Sequence, residues 1–217
     1  MTIAIDGPAG SGKSTIARMV AEGLGFTYVN SGSIYRAMTL RAIRRGIDCD
    51  DRAAVLASAR EANVDYREDS LYLDGEAVSA ELRSAAVDAH VAQVSAIPEL
   101  RSIVNEVVRR VSASRDAVVE GRDMTTVVFP DAELKFFLDA SSEARAQRRF
   151  RQGSSEASLE DIKRNIEMRD DIDRSKSIGA LKIAPDAEYL DSSYLTIQEV
   201  YDKVYGKILH LREQYGR

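Results

Sequence analysis

The sequence predicts an α/β protein with a parallel β-sheet covered by helices on both faces. Three observations predict it. Short apolar runs recur at Ile3-Ala4-Ile5, Ala117–Val119 and Leu134–Leu138, the last interrupted only by Lys135, and such runs belong to strands buried on both sides. Stretches with apolar residues three and four positions apart separate them, which is helical spacing. Glycine, proline and serine gather between the first run and the first helical stretch, in "GPAGSGKST", residues 7–15.

Thr2–Ile5 reads as a short buried strand. Lys13–Leu24 follows as a helix, with Ile16, Val20 and Leu24 four apart on one face. Thr27–Val29 is a second strand, and Ser31–Arg45 a second helix, with Ser31 as its cap and Gly46 as its stop. In "VDYREDSLYLDGEAV", within Asn63–Val78, the alternation at Val64, Tyr66, Leu71 and Leu73 predicts a small antiparallel insert with turns at Glu68-Asp69 and Asp74-Gly75. Ala117–Val119 and Leu134–Leu138 are two further buried strands, and Tyr189-Leu190 the last. Arg151–Ser158, "RQGSSEAS", is small and polar and reads as a mobile loop between two helices. Ile197, Val200, Val204, Ile208 and Leu211 define the core face of a C-terminal helix. Strands alternating with helices imply the parallel, two-sided sheet.

The 217 residues suffice for one large domain or one domain with insertions. The net charge of −5 argues against a broad nucleic-acid-binding surface. It leaves room for small phosphorylated ligands held by a few arginines. The single cysteine, Cys49, excludes an internal disulfide and a cysteine metal cluster. Two separated histidines, His90 and His210, argue against a histidine metal site. No apolar run approaches the length of a membrane span, and the N-terminus enters a strand without a leader pattern. The expectation is a cytoplasmic monomer without membrane or nucleic-acid partners.

Gly7, Gly12, Lys13 and Ser14 fit the phosphate-loop pattern G-x-x-x-x-G-K-[ST], in the required place between a strand and a helix. Across Gly7, Pro8, Ala9, Gly10, Ser11, Gly12, Lys13, Ser14 and Thr15, backbone N–H groups can turn inward around phosphate oxygens. The helix N-terminus adds positive dipole at the same point. Lys13 can reach the β- and γ-phosphates of ATP, and the Ser14 hydroxyl can ligate Mg²⁺. The motif alone is compatible with a small-molecule kinase, a nucleotide-hydrolysing switch or motor, and a binding module without chemistry.

A transfer enzyme also needs a second anion site and cations that offset charge on the transferred group. Arginine suits both tasks, because its planar fork matches phosphate oxygens. "NSGSIYR" (Asn30–Arg36) and "EGRD" (Glu120–Asp123) each follow a predicted strand, where ligands of open α/β sheets bind. Glu120 is the acidic group expected near the metal. "RAQRR" places Arg145, Arg148 and Arg149 on one helical face. "RDDIDRSK" does the same for Arg169, Asp173 and Lys176. Arginine-rich helices flanking a polar loop are what a water-excluding lid needs. Taken one by one, such charges more often form a solvated face with i,i+4 pairs, such as Asp170 with Arg174.

"IDGPAGSGKST", "NSGSIYRA", "EGRDMTTVVFPDAELKFFLDASSEARAQRR", "RDDIDRSK" and "PDAEYLDSS" together resemble the bacterial cytidylate kinases over nearly the whole chain. The resemblance implies a three-layer fold of the P-loop NTPase type in one kinase unit, residues 1–217. Its five-stranded parallel core would take about residues 1–30, 115–144 and 185–217. A monophosphate-binding region, about 31–114, would carry the β insert at 63–78, and a helical lid would span about 145–184. Ser31, Tyr35 and Arg36 would line the acceptor site, with Arg36 and Arg122 on the monophosphate. Arg101 and Asp123 would meet the cytosine edge, whose amino donor and ring acceptors suit a carboxylate and an arginine. Arg169 and Asp173 would approach the ribose and phosphates, with Lys176 beside them. Lys13, Arg122, Arg148 and Arg169 would carry the catalysis.

The implied activity is ATP- and Mg²⁺-dependent phosphorylation of CMP and dCMP. The alternatives are a broader kinase that also takes UMP, and a nucleotide-binding regulator without transfer. Several positions depart from the family pattern: Asn30 for aspartate, Ala92 for a serine that helps hold the base, Thr125 for glycine, Lys176 for a lid arginine and Ala180 for proline. The change at Ala92 removes one base hydrogen bond, which relaxes base choice by roughly 0.5–1.5 kcal/mol.

Overall fold

The computed structural model describes residues 1–67, 70–113, 115–152 and 158–214. The predicted turn at Glu68-Asp69 and the middle of the predicted polar loop, residues 153–157, lie outside them. In chain order the elements are β1 (Thr2–Asp6), α1 (Lys13–Leu24), β2 (Thr27–Asn30), α2 (Ser31–Arg44), α3 (Arg52–Arg60), β3 (Val64–Arg67), β4 (Ser70–Leu73) and β5 (Glu76–Ala77). They continue with α4 (Ala85–Ser95), α5 (Pro98–Ser112), β6 (Ala117–Gly121), β7 (Leu134–Asp139), α6 (Ser142–Arg151), α7 (Leu159–Ser175), β8 (Glu188–Asp191) and α8 (Ile197–Gln214). The five-stranded sheet runs β2-β6-β1-β7-β8, and β3-β4-β5 form a small second sheet. Contacts divide the chain into two compact units, Met1–Phe26 with Ala117–Arg217, and Thr27–Asp116.

In the first unit β1 is paired on both sides in parallel, with Ile3 opposite Val118 on one flank and Leu134 on the other. β8 adds to β7 in the same sense. Ile3, Ala4, Val118 and Val119 are fully buried, which explains why these strands read as unbroken apolar runs. The α1 face predicted from spacing is largely present: Ile16 and Val20 are buried and Leu24 half-buried, and Gly25 ends the helix at φ 68°. In α8, Val200, Val204 and Ile208 are buried as expected, but the core face is shorter than predicted. Ile197, 58 % exposed, starts the helix and faces a cavity instead, and Leu211 is only half-buried. α6 and α7 pack through Ala146, Ile162 and Ile166. Ser141 and Ser158 cap these two helices by accepting the amides of Ala144 and Asp161.

In the second unit the predicted antiparallel insert is present, with Val64 opposite Leu73 and Tyr66 opposite Leu71. All four side chains are buried. The turn after β4 uses Asp74 at φ 52° and Gly75 at φ 93°, the left-handed pair that a two-residue hairpin requires. Asp74 also accepts from the buried Arg41 at 2.7 Å and from the Asn63 amide at 2.9 Å, tying the hairpin to α2. The cap of α2 corrects the sequence reading. Asn30 accepts the Ser33 amide at 3.0 Å, and Ser31 is the first helical residue. Both residue types cap well, so spacing alone could not choose between them.

Candidate active site

β1 ends at Asp6 and the chain turns at once into the glycine loop. Gly7 adopts φ 156°, and a Cβ there would lie 2.0 Å from the Leu138 carbonyl oxygen of β7. Only glycine lets the loop pass this close to the strand. Gly10 and Gly12 take φ 79° and 93°, left-handed values that bring the chain into α1. Lys13 opens that helix and is 6 % exposed, with its Nζ donating to the Pro8 carbonyl at 3.1 Å. Ser14 and Thr15 follow it, exposed.

A cavity of about 570 Å³ lies over this loop, within the range of small-ligand sites. Lys13 and Ser14 line it, as do Arg148, Arg149 and Arg169 from α6 and α7, and Ile197 and Val200 from α8. Within this unit, Arg148, Arg149 and Arg169 thus share the lining of one cavity with the loop residues. Burial pushes the Lys13 ammonium down to about 7, helped by the positive charges of Arg122 and Arg169 and opposed by Glu120 and Asp6. Glu120, 3 % exposed at the end of β6, therefore stands in the electrostatic field of the loop lysine.

Arg122 and Asp123 follow β6 directly. Arg122 Nε donates to Asp173 of α7 at 2.9 Å, and Lys176 Nζ donates to the other oxygen of the same carboxylate at 2.6 Å. Burial works against the charge on Asp173, but the two cations outweigh it and hold the carboxyl below its ordinary value. Lys176 is not on the helix with Arg169 and Asp173. It is the C-terminal cap of α7 and reaches back one turn. Asp123 is 2 % exposed.

Two arginines predicted to share a solvated face behave differently. Arg145 is 3 % exposed and forms a two-pronged pair with the buried Asp170, at 3.0 and 2.5 Å. It donates further to the Ala9 carbonyl at 3.1 Å and the Ala140 carbonyl at 2.8 Å. The expected surface pairing of Asp170 with Arg174 is thus replaced by a buried link between α6, α7 and the glycine loop. Arg148 donates to the backbone carbonyl of Ser192 at 2.5 Å and to its hydroxyl at 3.2 Å. The Ser192 hydroxyl has one proton and two carbonyl acceptors, Asp139 at 2.9 Å and Ser11 at 3.2 Å. It thereby braces the loop against the ends of β7 and β8.

The remaining predicted residues lie in the second unit. Ser31, Tyr35 and Arg36 occupy the first turns of α2, and Arg101 lies on α5. Ser31 is buried, and Arg36 donates to Asp88 at 2.6 Å and to the Leu82 carbonyl at 2.9 Å. Sequence reasoning gave no role to Asp6, to Ser192 or to Arg145 as a loop brace. The available signals were an aspartate closing an apolar strand immediately before the glycines, and the "DSS" after the last strand.

Among the described residues no helix is long and apolar enough to cross a membrane, and no cluster of three or more metal-binding side chains occurs.

A family model for cytidylate kinase matches residues 3–210. The cytidylate kinase of Caldanaerobacter subterraneus subsp. tengcongensis is 41% identical over 209 residues, covering 95% of this chain and 93% of that protein. The cytidylate kinase of Nocardia farcinica is 41% identical over 212 residues, covering 94% of this chain and 91% of that protein. Among solved structures, shikimate kinase from Bacteroides thetaiotaomicron has a TM-score of 0.52 at 11% identity, covering 96% of this chain and 98% of that one. This likeness speaks for the fold alone, a parallel sheet with helices as in other phosphate-loop kinases. From the match along almost its full length, the chain belongs to the cytidylate kinase family.

Proposed function

We propose that this protein transfers the γ-phosphoryl group of ATP to CMP and dCMP, giving ADP with CDP or dCDP. The observation that carries the reading is the meeting of Lys13, Arg122 and Arg169 in one electrostatic field beside a glycine loop whose cavity is lined by arginines. A nucleotide-binding regulator has no need of several cations converging where the γ-phosphate would lie. An acceptor phosphate oxygen forms the new bond to the γ-phosphorus as the bond to the β,γ-bridging oxygen breaks, in line and without a covalent enzyme intermediate. The acceptor phosphate is already ionised near neutral pH, so no dedicated base is required. Lys13 bridges the donor phosphates, and Arg148 and Arg169 offset charge on the transferred group. Arg36 and Arg122 anchor the acceptor phosphate, Ser31 and Tyr35 line its pocket, and Arg101 and Asp123 read the base. Ser14 would hold Mg²⁺, which draws charge from the phosphates when bound. The protein is proposed to act as a cytoplasmic monomer on small nucleotides.

A second reading, a kinase that also takes UMP, has one observation in its favour. Ser95, a neighbour that could replace the serine absent at Ala92, donates its hydroxyl to the Ala92 carbonyl at 3.0 Å, within its own helix. An ADP-release assay with CMP, dCMP, UMP and AMP separates the readings. Turnover of CMP and dCMP well above UMP and AMP supports the first, equal turnover of UMP and CMP supports the second, and turnover of none removes both.

The loop lysine makes a pH prediction. With Lys13 at about 7, its amine is largely neutral above that pH before nucleotide binds. Triphosphate charge favours the ammonium, so binding takes up a proton. ATP affinity is therefore expected to fall as pH rises above 7, by up to about tenfold per pH unit. Calorimetry at pH 8 in buffers of different ionisation enthalpy should read up to about one proton taken up per ATP. Binding with no proton uptake would contradict the assignment.

A further inference from the structure

Asp6 is fully buried and has no part in the chemistry above. It closes β1 opposite Gly121, the last residue of β6, so the two strands end side by side. One leads into the glycine loop and the other into Arg122. The Asp6 carboxylate reaches across this junction. One oxygen accepts the Met124 amide at 2.9 Å, and the other accepts the Thr125 amide at 2.7 Å and the Thr125 hydroxyl at 2.6 Å. Met124 begins a single π-helical turn, Met124–Val128. That turn folds back on Asp123, whose carbonyl accepts the amides of Val127 and Val128 at 2.9 and 3.1 Å. All three donors thus come from the two residues that follow Arg122-Asp123, and all three need a carboxylate that only accepts.

We propose that Asp6 and Thr125 are a positioning pair: the clamp between them sets the stance of Arg122 and Asp123 relative to the glycine loop. The inference rests on the acceptor role proposed for those two residues. Ordinary turn closure would need only the two amides. The Thr125 hydroxyl is a third bond to a charge that is buried, and the clamped carboxylate also acts on Lys13. Asp123 acts on Asp6 from the turn and Lys13 from α1, while the strand neighbours Gly121 and Phe137 carry no charge. Burial raises the Asp6 carboxyl to about 6, and the Thr125 hydroxyl, the Thr125 amide and the Met124 amide hold it from rising further.

The test compares Thr125→Val, which preserves the shape of a site 1 % exposed, with Thr125→Ala as a smaller second variant and Thr125→Ser as the rescue. Rates are measured with CMP and ATP varied separately and across pH, and the aspartate carboxyls are titrated by ¹³C NMR. Losing one bond to a charged group is expected to lower kcat/KM for CMP about tenfold while the KM for ATP holds. The acid limb of the rate and the Asp6 resonance should both move to higher pH, because the group that favoured the ionised form is gone. Thr125→Ser should restore all of these. Variants that melt earlier yet keep the wild-type kcat/KM for CMP and the wild-type acid limb would make the pair purely structural and overturn the proposal. Should the wild-type chain turn over no monophosphate, the proposed function fails, and the carboxyl titration alone decides the pairing: an unmoved Asp6 resonance overturns it.

Discussion

Arg122→Ala is expected to slow phosphoryl transfer to CMP about a thousandfold, the scale seen when a transfer site loses an arginine on the reacting phosphates. The fold should tolerate the change. Asp173, which takes the Arg122 Nε at 2.9 Å, keeps Lys176 at 2.6 Å, so no buried carboxylate is left bare. ATP binding should persist as well. Arg122 is the leading charge that depresses Lys13, and its removal lets the loop ammonium form more readily. Arg122→Lys separates charge from shape, since lysine lacks the planar fork, and should recover only part of the loss. Steady-state rates with CMP, beside ATP titrations of the same variants, give the measurement. Near-normal turnover of Arg122→Ala would place the acceptor phosphate elsewhere.

The second large effect concerns stability. Asp170→Ala strands Arg145, a guanidinium 3 % exposed, without its carboxylate. Breaking such a buried pair costs about 3–5 kcal/mol, which for a chain of this size lowers Tm by roughly 10 °C. Arg145 also holds the Ala9 carbonyl, so the damage should spread from the α6–α7 contact into the glycine loop. A double change, Arg145→Met with Asp170→Leu, removes both charges and should recover most of the stability, because an apolar pair of similar volume avoids the desolvation cost. It should not recover ATP affinity, since the brace on the loop is still missing. Thermal melts and ATP titrations of the single and double variants test both halves. A single variant that melts within a degree of wild type would show that Arg145 finds another partner.

Strands and loop were legible because their signals are local. Ile3-Ala4-Ile5 is apolar without a break because β1 is covered on both sides, and the run ends where Asp6 and the glycines begin. The hairpin at Asp74-Gly75 was legible for a similar reason, since two left-handed residues in succession leave a mark in residue choice. The departures lie where a residue's surroundings come from elsewhere in the chain. Asn30 and Ser31 are both competent caps, and the placement of β2 decided between them. Ile197 has the spacing of a core residue, yet α8 begins at the rim of a cavity, and its first turn faces the glycine loop.

The charged residues show the boundary most clearly. The sequence by itself determined that a triphosphate-type loop follows the first strand and that arginines recur on the helical stretches after the apolar run Leu134–Leu138. It also determined the family, through segments spread along the whole chain. Only the tertiary structure decided which arginine is free to act and which is structural. Arg145 and Arg149 are four residues apart on one helical face, yet the first is buried on Asp170 and the second lies exposed in the cavity lining. Asp6 and Thr125 are far apart in sequence and bond at 2.6 Å. The physical reason is the same in each case. The cost of a buried charge depends on which partner reaches it, and partners brought in from distant segments leave no periodic trace along the chain.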